Sequence, residues 1–334
     1  MTIKKILLLS TSLLGLVACG GGSSGGGDGG PIVIGGEEET ARVFSNDIGD
    51  AGDALVDGQT LSARQVAMAG INLFYGGGDT ELTDVSEFTV RLNDEGEVTL
   101  ELEGTEMVFT EANREVDEEG NVFSYFTEAE CDDIGFCVSL GSFSGEIDEL
   151  KSNGNGYMEV LSAQSNQVNS GPPDLKVFAV VGTETMDEDL GALGSATYLG
   201  RTRFDLTPAT GFISNSESRT RLRSDVTMTA NFGAGTISGV MDAFEVRDAG
   251  QSDFVDVLGS IAMTEAEFTV NGFEGGLAPD AEFLAENDVI LDSSSTYSGA
   301  FYGPNAEEVG GVFSVSGTDE SEAFNGIGYF EANQ

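Results

Sequence analysis

Histidine and tryptophan are missing from this 334-residue sequence, and basic residues are few, with 14 Lys and Arg against 58 Asp and Glu. Without histidine the chain has no Ser-His-Asp or Cys-His nucleophile and no histidine ligand for zinc or haem. It also has no P-loop, and its carboxylates are too numerous for one acid–base pair to stand out. We therefore expect no catalytic residue, no metal site, no cofactor and no enzymatic activity.

An apolar run, from Ile6 to Val17, follows Lys4 and Lys5 at the N-terminus. As a helix this run would rise about 18 Å, whereas the hydrocarbon core of a bilayer is about 30 Å thick. The run is too short to span a membrane, and it has the positive start and apolar centre of a secretory signal. Residues 1–18 are therefore predicted to be a signal peptide.

Cys19 ends the stretch Leu16-Val17-Ala18-Cys19, which resembles the lipobox of bacterial lipoproteins. Its thiol is the group that would take the lipid, and several acyl chains such as palmitate on one cysteine make a stable membrane anchor. Gly20 and Gly21 follow with no aspartate, which by resemblance to sorted lipoproteins indicates the outer membrane. Residues 19–36 are mostly Gly and Ser and predict a flexible tether. The alternative is an ordinary secretory signal with a chance cysteine.

The remaining chain would be strongly acidic. Cleavage after residue 18 leaves 12 basic and 58 acidic residues, a net charge of −46. Such a chain repels nucleic acid and anionic lipid surfaces, so neither is expected as a partner. We interpret the charge as a means of staying soluble, in a salty medium that screens self-repulsion, in preference to cation binding.

Cys131 and Cys137 are the two cysteines left when Cys19 is assigned to the lipid. Outside the cytoplasm an even remainder is typical of a disulfide, and Gly135 lets the intervening loop turn back. The alternative is a metal site made by the two cysteines with Asp132 and Asp133.

Short runs of alternating apolar and polar residues indicate β-strands along most of the sequence. In residues 87–110, Phe88 and Val90 alternate with polar residues before a turn, and Val98 and Leu100 resume the pattern. One short helix of about two turns is predicted to start at the capping box Ser62-Ala-Arg-Gln65.

After a polar and acidic stretch within residues 165–192, strand patterns recur to the end of the sequence. Even positions are apolar in the first two strands, including Tyr198, Phe204, Val226 and Met228, which predicts one face turned to an interior. Eight strands with adjacent turns indicate an up-and-down antiparallel barrel, with an open sandwich as the structural alternative. The predicted strands are 195–206, 219–232, 235–246, 254–263, 266–273, 296–303, 309–316 and 323–331.

Five arginines lie close together between residues 201 and 223, all at odd positions opposite in parity to the apolar face. If the first two strands pair as a hairpin, these arginines form one patch on the outer face of the barrel. Guanidinium groups suit carboxylate and phosphate, so the patch is a candidate anionic docking site. The alternative is pairing with local acids or with the N-terminal domain. The residues are Arg201, Arg203, Arg219, Arg221 and Arg223.

Three glycine-rich motifs occur in order within the predicted barrel. They are Gly194-Ser-Ala-Thr-Tyr-Leu-Gly200, Ala230-Asn-Phe-Gly-Ala-Gly-Thr-Ile-Ser-Gly239 and Ser298-Gly-Ala-Phe-Tyr-Gly-Pro-Asn-Ala-Glu-Glu-Val-Gly-Gly-Val-Phe313. Together they resemble the barrel signature of transferrin-binding protein B-like surface lipoproteins. The resemblance implies an all-β chain, with a handle-like β domain at residues 37–190 and an eight-stranded antiparallel up-and-down β-barrel at residues 191–334. Proteins of the family have two lobes, whereas this chain has length for one, and no transferrin-contacting residue carries over.

The resemblance implies a lipid-anchored outer-membrane protein, exposed at the cell surface, that captures a protein or small ligand for iron or haem acquisition. It further implies an outer-membrane receptor, a surface exporter and an extracellular protein ligand as partners. Two other functions stay open from the sequence alone. One is a structural or shielding envelope lipoprotein, and the other is a periplasmic solute-binding protein with its ligand in the barrel mouth.

Overall fold

The computed structural model describes residues 60–73, 79–92, 97–110, 114–116, 122–126, 129–131, 137–139, 141–144, 157–165, 174–209, 219–248, 251, 253–268, 270–287, 289–319 and 322–334. All of these residues belong to one compact unit, Ala41–Gln334. The predicted signal peptide and the predicted tether lie outside the described residues. In the part of the chain that is described, no helix has the length and apolar character needed to cross a bilayer.

Strands account for most of the regular structure in the described residues. They are β1 Thr60–Ser62, β2 Met68–Leu73, β3 Glu81–Thr83, β4 Phe88–Leu92, β5 Val98–Leu102, β6 Thr105–Phe109, β7 Arg114–Val116, β8 Val122–Phe126, β9 Ala129–Cys131, β10 Cys137–Ser139, β11 Gly141–Ser144, β12 Met158–Ser165, β13 Asp174–Gly182, β14 Ser195–Pro208, β15 Thr220–Asn231, β16 Thr236–Arg247, β17 Val255–Val257, β18 Ile261–Glu267, β19 Phe273–Pro279, β20 Val289–Leu291, β21 Thr296–Tyr302, β22 Glu308–Asp319 and β23 Glu322–Asn333. The described helices are α1 Asp187–Leu190, α2 Ala281–Asn287 and a 3-10 helix, Gln65–Ala67.

Two larger open sheets precede the barrel, one of four strands in the order β1-β4-β5-β6 and one of seven in the order β3-β2-β13-β12-β11-β8-β7, and β9 and β10 pair separately. Phe88, Val90, Val98 and Leu100 are buried, as the alternation in β4 and β5 predicts. They belong to the same apolar core as Leu161 of β12. The two sheets therefore pack face to face.

The short helix predicted to start at Ser62 is wrong. Ser62 ends β1, and a single 3-10 turn, Gln65–Ala67, follows without a side-chain cap. β1 pairs with β4 through Leu61 and Val90, which are both buried in the core between the sheets. Burying one large apolar side chain contributes about 1.5–3 kcal/mol, which outweighs the roughly 1 kcal/mol of a helix cap.

Eight C-terminal strands close into a ring. β14, β15, β16, β18, β19, β21, β22 and β23 pair in sequence order, and β23 pairs back with β14, all antiparallel. β17 and β20 lie beside the ring, paired with the ends of β16 and β22. The predicted all-β class, in which β-sheets precede an eight-stranded antiparallel up-and-down barrel, is confirmed.

Six of the barrel strands lie where the sequence predicts them, but the fourth and fifth are displaced. The residues predicted as the start of the fourth strand form β17, outside the ring, and the true fourth strand is β18. The fifth strand, β19, contains Gly275 and Gly276 and therefore shows little apolar alternation. At Gly275 the ring of Tyr297 lies 2.5 Å from where a Cβ would stand, so a larger residue is excluded there.

Aromatic side chains fill the barrel interior. The ring centroid of Phe301 lies 5.1 Å from those of Phe232 and Phe268 and 5.4 Å from that of Phe273. The inward parity predicted for the first two strands is confirmed. The interior is therefore a packed core. Other buried side chains of this core include Tyr198, Phe204, Val226, Met228, Phe313 and Phe330.

The seven-stranded sheet packs against the outside of the barrel, in a contact that we call the sheet–barrel interface. Val312 of β22 and Ile327 of β23 form one buried apolar cluster with Ile71 and Phe178 of the sheet. The described structure thus has three layers: the four-stranded sheet, the seven-stranded sheet and the barrel. A second apolar cluster of the interface contains Ala67, Val160, Val180, Ala300 and Tyr302.

Candidate functional site

Four of the five arginines predicted to form a patch lie in β14 and β15, which pair antiparallel as expected, and Arg219 immediately precedes β15. Arg203 stands opposite Arg223 in the register. Phe204, the next residue after Arg203, belongs to the barrel core, so the arginines occupy the outer face. The side chain of Arg201 is 74% exposed and pairs with Glu331 on β23.

One carboxylate, that of Asp205, connects these arginines to the seven-stranded sheet. Asp205 is 2% exposed and accepts a hydrogen bond from the ammonium group of Lys176 on β13. Its oxygens also lie 3.4 Å from Nε of Arg203, 3.7 Å from Nε of Arg221 and 3.9 Å from Nη1 of Arg219. Cations from two layers of the fold therefore share this one acid.

Two of these cations are buried in the sheet–barrel interface. The Lys176 side chain is 8% exposed, and its Nζ lies 4.9 Å from the ring centroid of Phe178. The Arg219 side chain is 4% exposed, and its Nη2 donates to Oε1 of Gln164 on β12 at 3.5 Å. Part of the predicted patch thus contributes to the contact between the sheet and the barrel.

The neighbouring cations keep Asp205 ionised. Burial by itself would raise the pKa of Asp205, but Lys176 and Arg203 outweigh burial and hold the pKa well below its usual range. Burial and, to a smaller extent, the nearby Arg219 lower the pKa of Lys176 to about 8, although Asp205 acts to raise it. The carboxylate of Asp205 is therefore stabilised by several cations at once.

Arg223, farther from Asp205, contacts a carboxylate and an aromatic ring. Arg223, whose side chain is 52% exposed, donates to both oxygens of Glu245 at 2.5 and 3.0 Å. The Cζ of Arg223 lies 4.0 Å from the ring centroid of Phe254, and that of Arg247 lies 5.0 Å from the same centroid. Cation–π contacts of this kind fix the position of guanidinium groups.

Lys176 and Arg247 are members of the cluster that sequence reasoning missed. Arg247 stands opposite Arg221 in the β15–β16 register. Lys176 precedes a fully buried run, residues 177–181, and a lysine in such a run requires a charged partner. That partner, Asp205, lies 29 residues away in another sheet. We call the whole group, which holds seven of the 12 basic residues after Lys5, the basic cluster: Lys176, Arg201, Arg203, Arg219, Arg221, Arg223 and Arg247.

The third glycine-rich motif, residues 298–313, has a structural role in the barrel wall. A Cβ on Gly310 would overlap Met158 of the sheet, and a Cβ on Gly311 would lie 2.5 Å from the ring of Phe330 in the barrel core. The carboxylate of Glu308 accepts hydrogen bonds from the backbone N–H groups of Tyr157 and Met158 at 2.7 and 2.9 Å. These residues hold the sheet and the barrel together.

The two predicted disulfide cysteines are register partners. Cys131 and Cys137 stand opposite each other in the antiparallel pair β9–β10. Opposite Cα atoms in such a pair are about 4.5–5.5 Å apart, within the range that a disulfide requires. This placement supports the disulfide, which stays a prediction. Cys19, the predicted lipidation site, lies outside the described residues.

The fold defines a class of protein: a β-barrel with a filled interior, packed on the seven-stranded sheet, with the basic cluster on its outer face. Guanidinium groups supply hydrogen-bond donors and positive charge that suit anions, and anion docking at the cluster stays a prediction. Residues 190–334 match the family model of the C-lobe and N-lobe beta barrels of Tf-binding protein B. The match covers the barrel, less than half of this chain, and it confirms the resemblance predicted from three motifs.

Two solved structures of transferrin-binding protein B are similar to this chain at low identity. A double mutant from Haemophilus parasuis Hp5 has 17% identity and a TM-score of 0.40, over 80% of this chain and 44% of that one. The isotype 1 protein from serogroup B Neisseria meningitidis has 17% identity and a TM-score of 0.39, over the same shares. The matched part thus spans less than half the length of these relatives. No curated protein sequence matches the chain.

Proposed function

We propose that this chain is a lipid-anchored outer-membrane protein, exposed at the cell surface, that captures an extracellular protein ligand. One observation carries the proposal: its barrel matches the family model of the Tf-binding protein B barrels and its interior is filled by side chains. A ligand of such a barrel is held on the outside, because packed rings leave no lumen for it. The filled interior argues against a periplasmic protein that holds a solute in the barrel mouth.

The anchor and the partners form the second part of the proposal. Cys19 carries the acyl chains, and residues 19–36 tether the folded part to the membrane. The relatives are named for binding transferrin, so we propose that capture serves iron or haem acquisition. The captured ligand passes to an outer-membrane receptor, and a surface exporter brings the protein across the membrane.

The anchor and the surface placement are tested on intact cells. We expect the native protein to fractionate with the outer membrane, to incorporate labelled palmitate and to be removed by protease added outside. A Cys19→Ser variant is expected to lose the label and the membrane fraction. Protection of the native protein from external protease, with the label intact, would place it on the periplasmic side.

Capture is tested with purified protein. Residues 19–334 carrying Cys19→Ser are immobilised and exposed to transferrin and to haem-carrying proteins, and the retained protein is quantified. We expect one of them to be retained, and expression of the chain to rise when iron is limiting. If nothing is retained and expression stays flat, a structural or shielding lipoprotein becomes the better description.

A further inference from the structure

Three arginines of the basic cluster come from three neighbouring strands of the barrel. Arg221 stands directly opposite Arg247, and Asp205 directly opposite Arg221. Arg203 lies two residues before Asp205 on the same face of β14. Neighbouring strands are about 4.8 Å apart, so three strands span roughly 10 Å and bring these guanidinium groups close together.

Among the described residues, positive charge exceeds negative charge at this position. Asp205 is the carboxylate within 4 Å of Lys176, Arg203 and Arg221, while Arg247 packs on the ring of Phe254. Burial lowers the pKa of Arg221, Asp205 raises it, and the guanidinium groups of Arg203 and Arg247 lower it again. The like charges of these arginines therefore face one another, and an added anion would relieve their repulsion.

The site is partly exposed to solvent and, among the described residues, has one donor without a hydrogen-bond partner. The side chains of Arg203 and Arg221 are 40% and 28% exposed. Nε of Arg221 is buried and, among the described residues, has no hydrogen-bond partner. Its distance of 3.7 Å to Oδ1 of Asp205 is too long for a hydrogen bond. The ring of Phe254 keeps the guanidinium group of Arg247 in place before any ligand arrives.

We propose that Arg203, Arg221 and Arg247 form a binding site for a small phosphate monoester in its dianionic form. A carboxylate fills one guanidinium fork, whereas a phosphate monoester offers three acceptor oxygens and two charges to several forks at once. The ligand is small because an extended anionic surface, such as a membrane or a nucleic acid, would be repelled by the rest of this acidic chain. This site is independent of the protein capture proposed above.

Calorimetric titration at pH 8 and constant ionic strength tests the site, with inorganic phosphate and glucose 6-phosphate as probes. We expect saturable binding, and we expect Arg221→Gln and Arg247→Gln each to weaken it about tenfold or more. Arg91→Gln removes the same charge from an exposed position on β4 and is the matched control, with little change expected. Circular dichroism checks the folding of each variant. If one of them unfolds, Arg203→Gln gives the same test at the more exposed arginine.

The charge of the ligand gives a second readout. The second pKa of a phosphate monoester is about 6, so binding is expected to fall when the pH is lowered from 8 to 5. A sulfate monoester, which carries one charge at both pH values, is expected to bind weakly at both. No saturable phosphate binding, or an equal loss in Arg91→Gln, would overturn the proposal. Stronger binding to vesicles containing phosphatidic acid than to soluble phosphate would overturn the choice of a small ligand.

Discussion

Asp205 illustrates what a single buried acid does in a chain with 58 acidic residues. It bonds to Lys176 of the seven-stranded sheet and lies near Arg203, Arg219 and Arg221 of the barrel. A buried ion pair gives little net stability compared with apolar side chains, because burial removes both charges from water. Its loss is costly, however, since the remaining charges stay buried without compensation.

Replacing Asp205 by Asn is expected to lower the free energy of unfolding at pH 7 by about 3–5 kcal/mol, because Lys176 loses its carboxylate. The pKa of Asp205 is lower in the folded state, so its contribution is complete above the ordinary carboxyl range and is lost as the pH falls below it. The difference from the native protein is therefore expected to shrink at pH 3. Urea unfolding followed by circular dichroism measures both values.

Asp242→Asn, at an exposed position of β16, is the matched control for this change and is expected to have little effect. An equal loss in the two variants would contradict the role given to Asp205.

The sequence predicted which arginines share a face but not what they contact. Parity is a local property, so the placement of Arg203 and Arg223 follows from the pattern of β14 and β15 alone. Lys176 joins them only because the seven-stranded sheet packs on the barrel. Contacts between layers depend on how whole elements pack, and no local pattern carries that information.

At the scale of single elements, β22 shows why a glycine-rich motif is needed in a barrel wall. Gly310 and Gly311 are consecutive and face opposite sides of the strand, one towards Met158 of the sheet and the other towards Phe330 of the core. The lack of side chains lets two neighbouring layers approach β22 from both sides. The motif therefore marks the place where the barrel wall is most tightly enclosed.

Gly311→Ala is expected to destabilise the protein by about 1–3 kcal/mol, because the added methyl group overlaps the carbonyl oxygen of Ser298 and the ring of Phe330. Gly276→Ala on β19 is the matched control, since the nearest atom to its Cβ is Oγ1 of Thr264 at 3.5 Å. Thermal and urea unfolding of the two variants compare the sites. A smaller effect at Gly311 than at Gly276 would show that the wall is not close-packed there.

Strand prediction succeeded where alternation was regular and failed where tertiary contacts decide. The regular parity of β15 located that strand from the sequence. Residues 255–257 also have strand character, yet they form β17 outside the ring. The capping box at Ser62 is a valid local signal, but pairing of β1 with β4 prevails over it. Local patterns predict that a strand exists, whereas pairing decides where it belongs.

At the scale of the whole molecule, the sheet–barrel interface covers apolar residues on the outside of the barrel. Outside the barrel, Val312, Ile327, Ala300 and Tyr302 are covered by the seven-stranded sheet. Without the sheet these side chains would form an exposed apolar patch on the barrel surface. The two parts are therefore expected to require each other, although the barrel core itself is complete.

Residues 190–334 expressed alone are expected to bind a hydrophobic dye and to associate in size-exclusion chromatography, whereas residues 41–334 stay monodisperse. In the fragment, Val312→Thr and Ile327→Thr are expected to reduce the dye signal, because they make the uncovered face more polar. A fragment that is monomeric and does not bind the dye would show that the sheet is not needed to cover the barrel.

The topology of the barrel also determines when, during synthesis, the ring can close. β23, the last of the eight strands in the chain, pairs with both β22 and β14, so the ring is sealed only when it arrives. Because the ribosome releases the N-terminal strands first, most of the barrel is synthesised before β23 is available to pair with β14. The barrel therefore cannot close before β23 has been synthesised. Until then the incomplete ring lacks the pairing between β14 and β23 and is easier to unfold than the closed barrel.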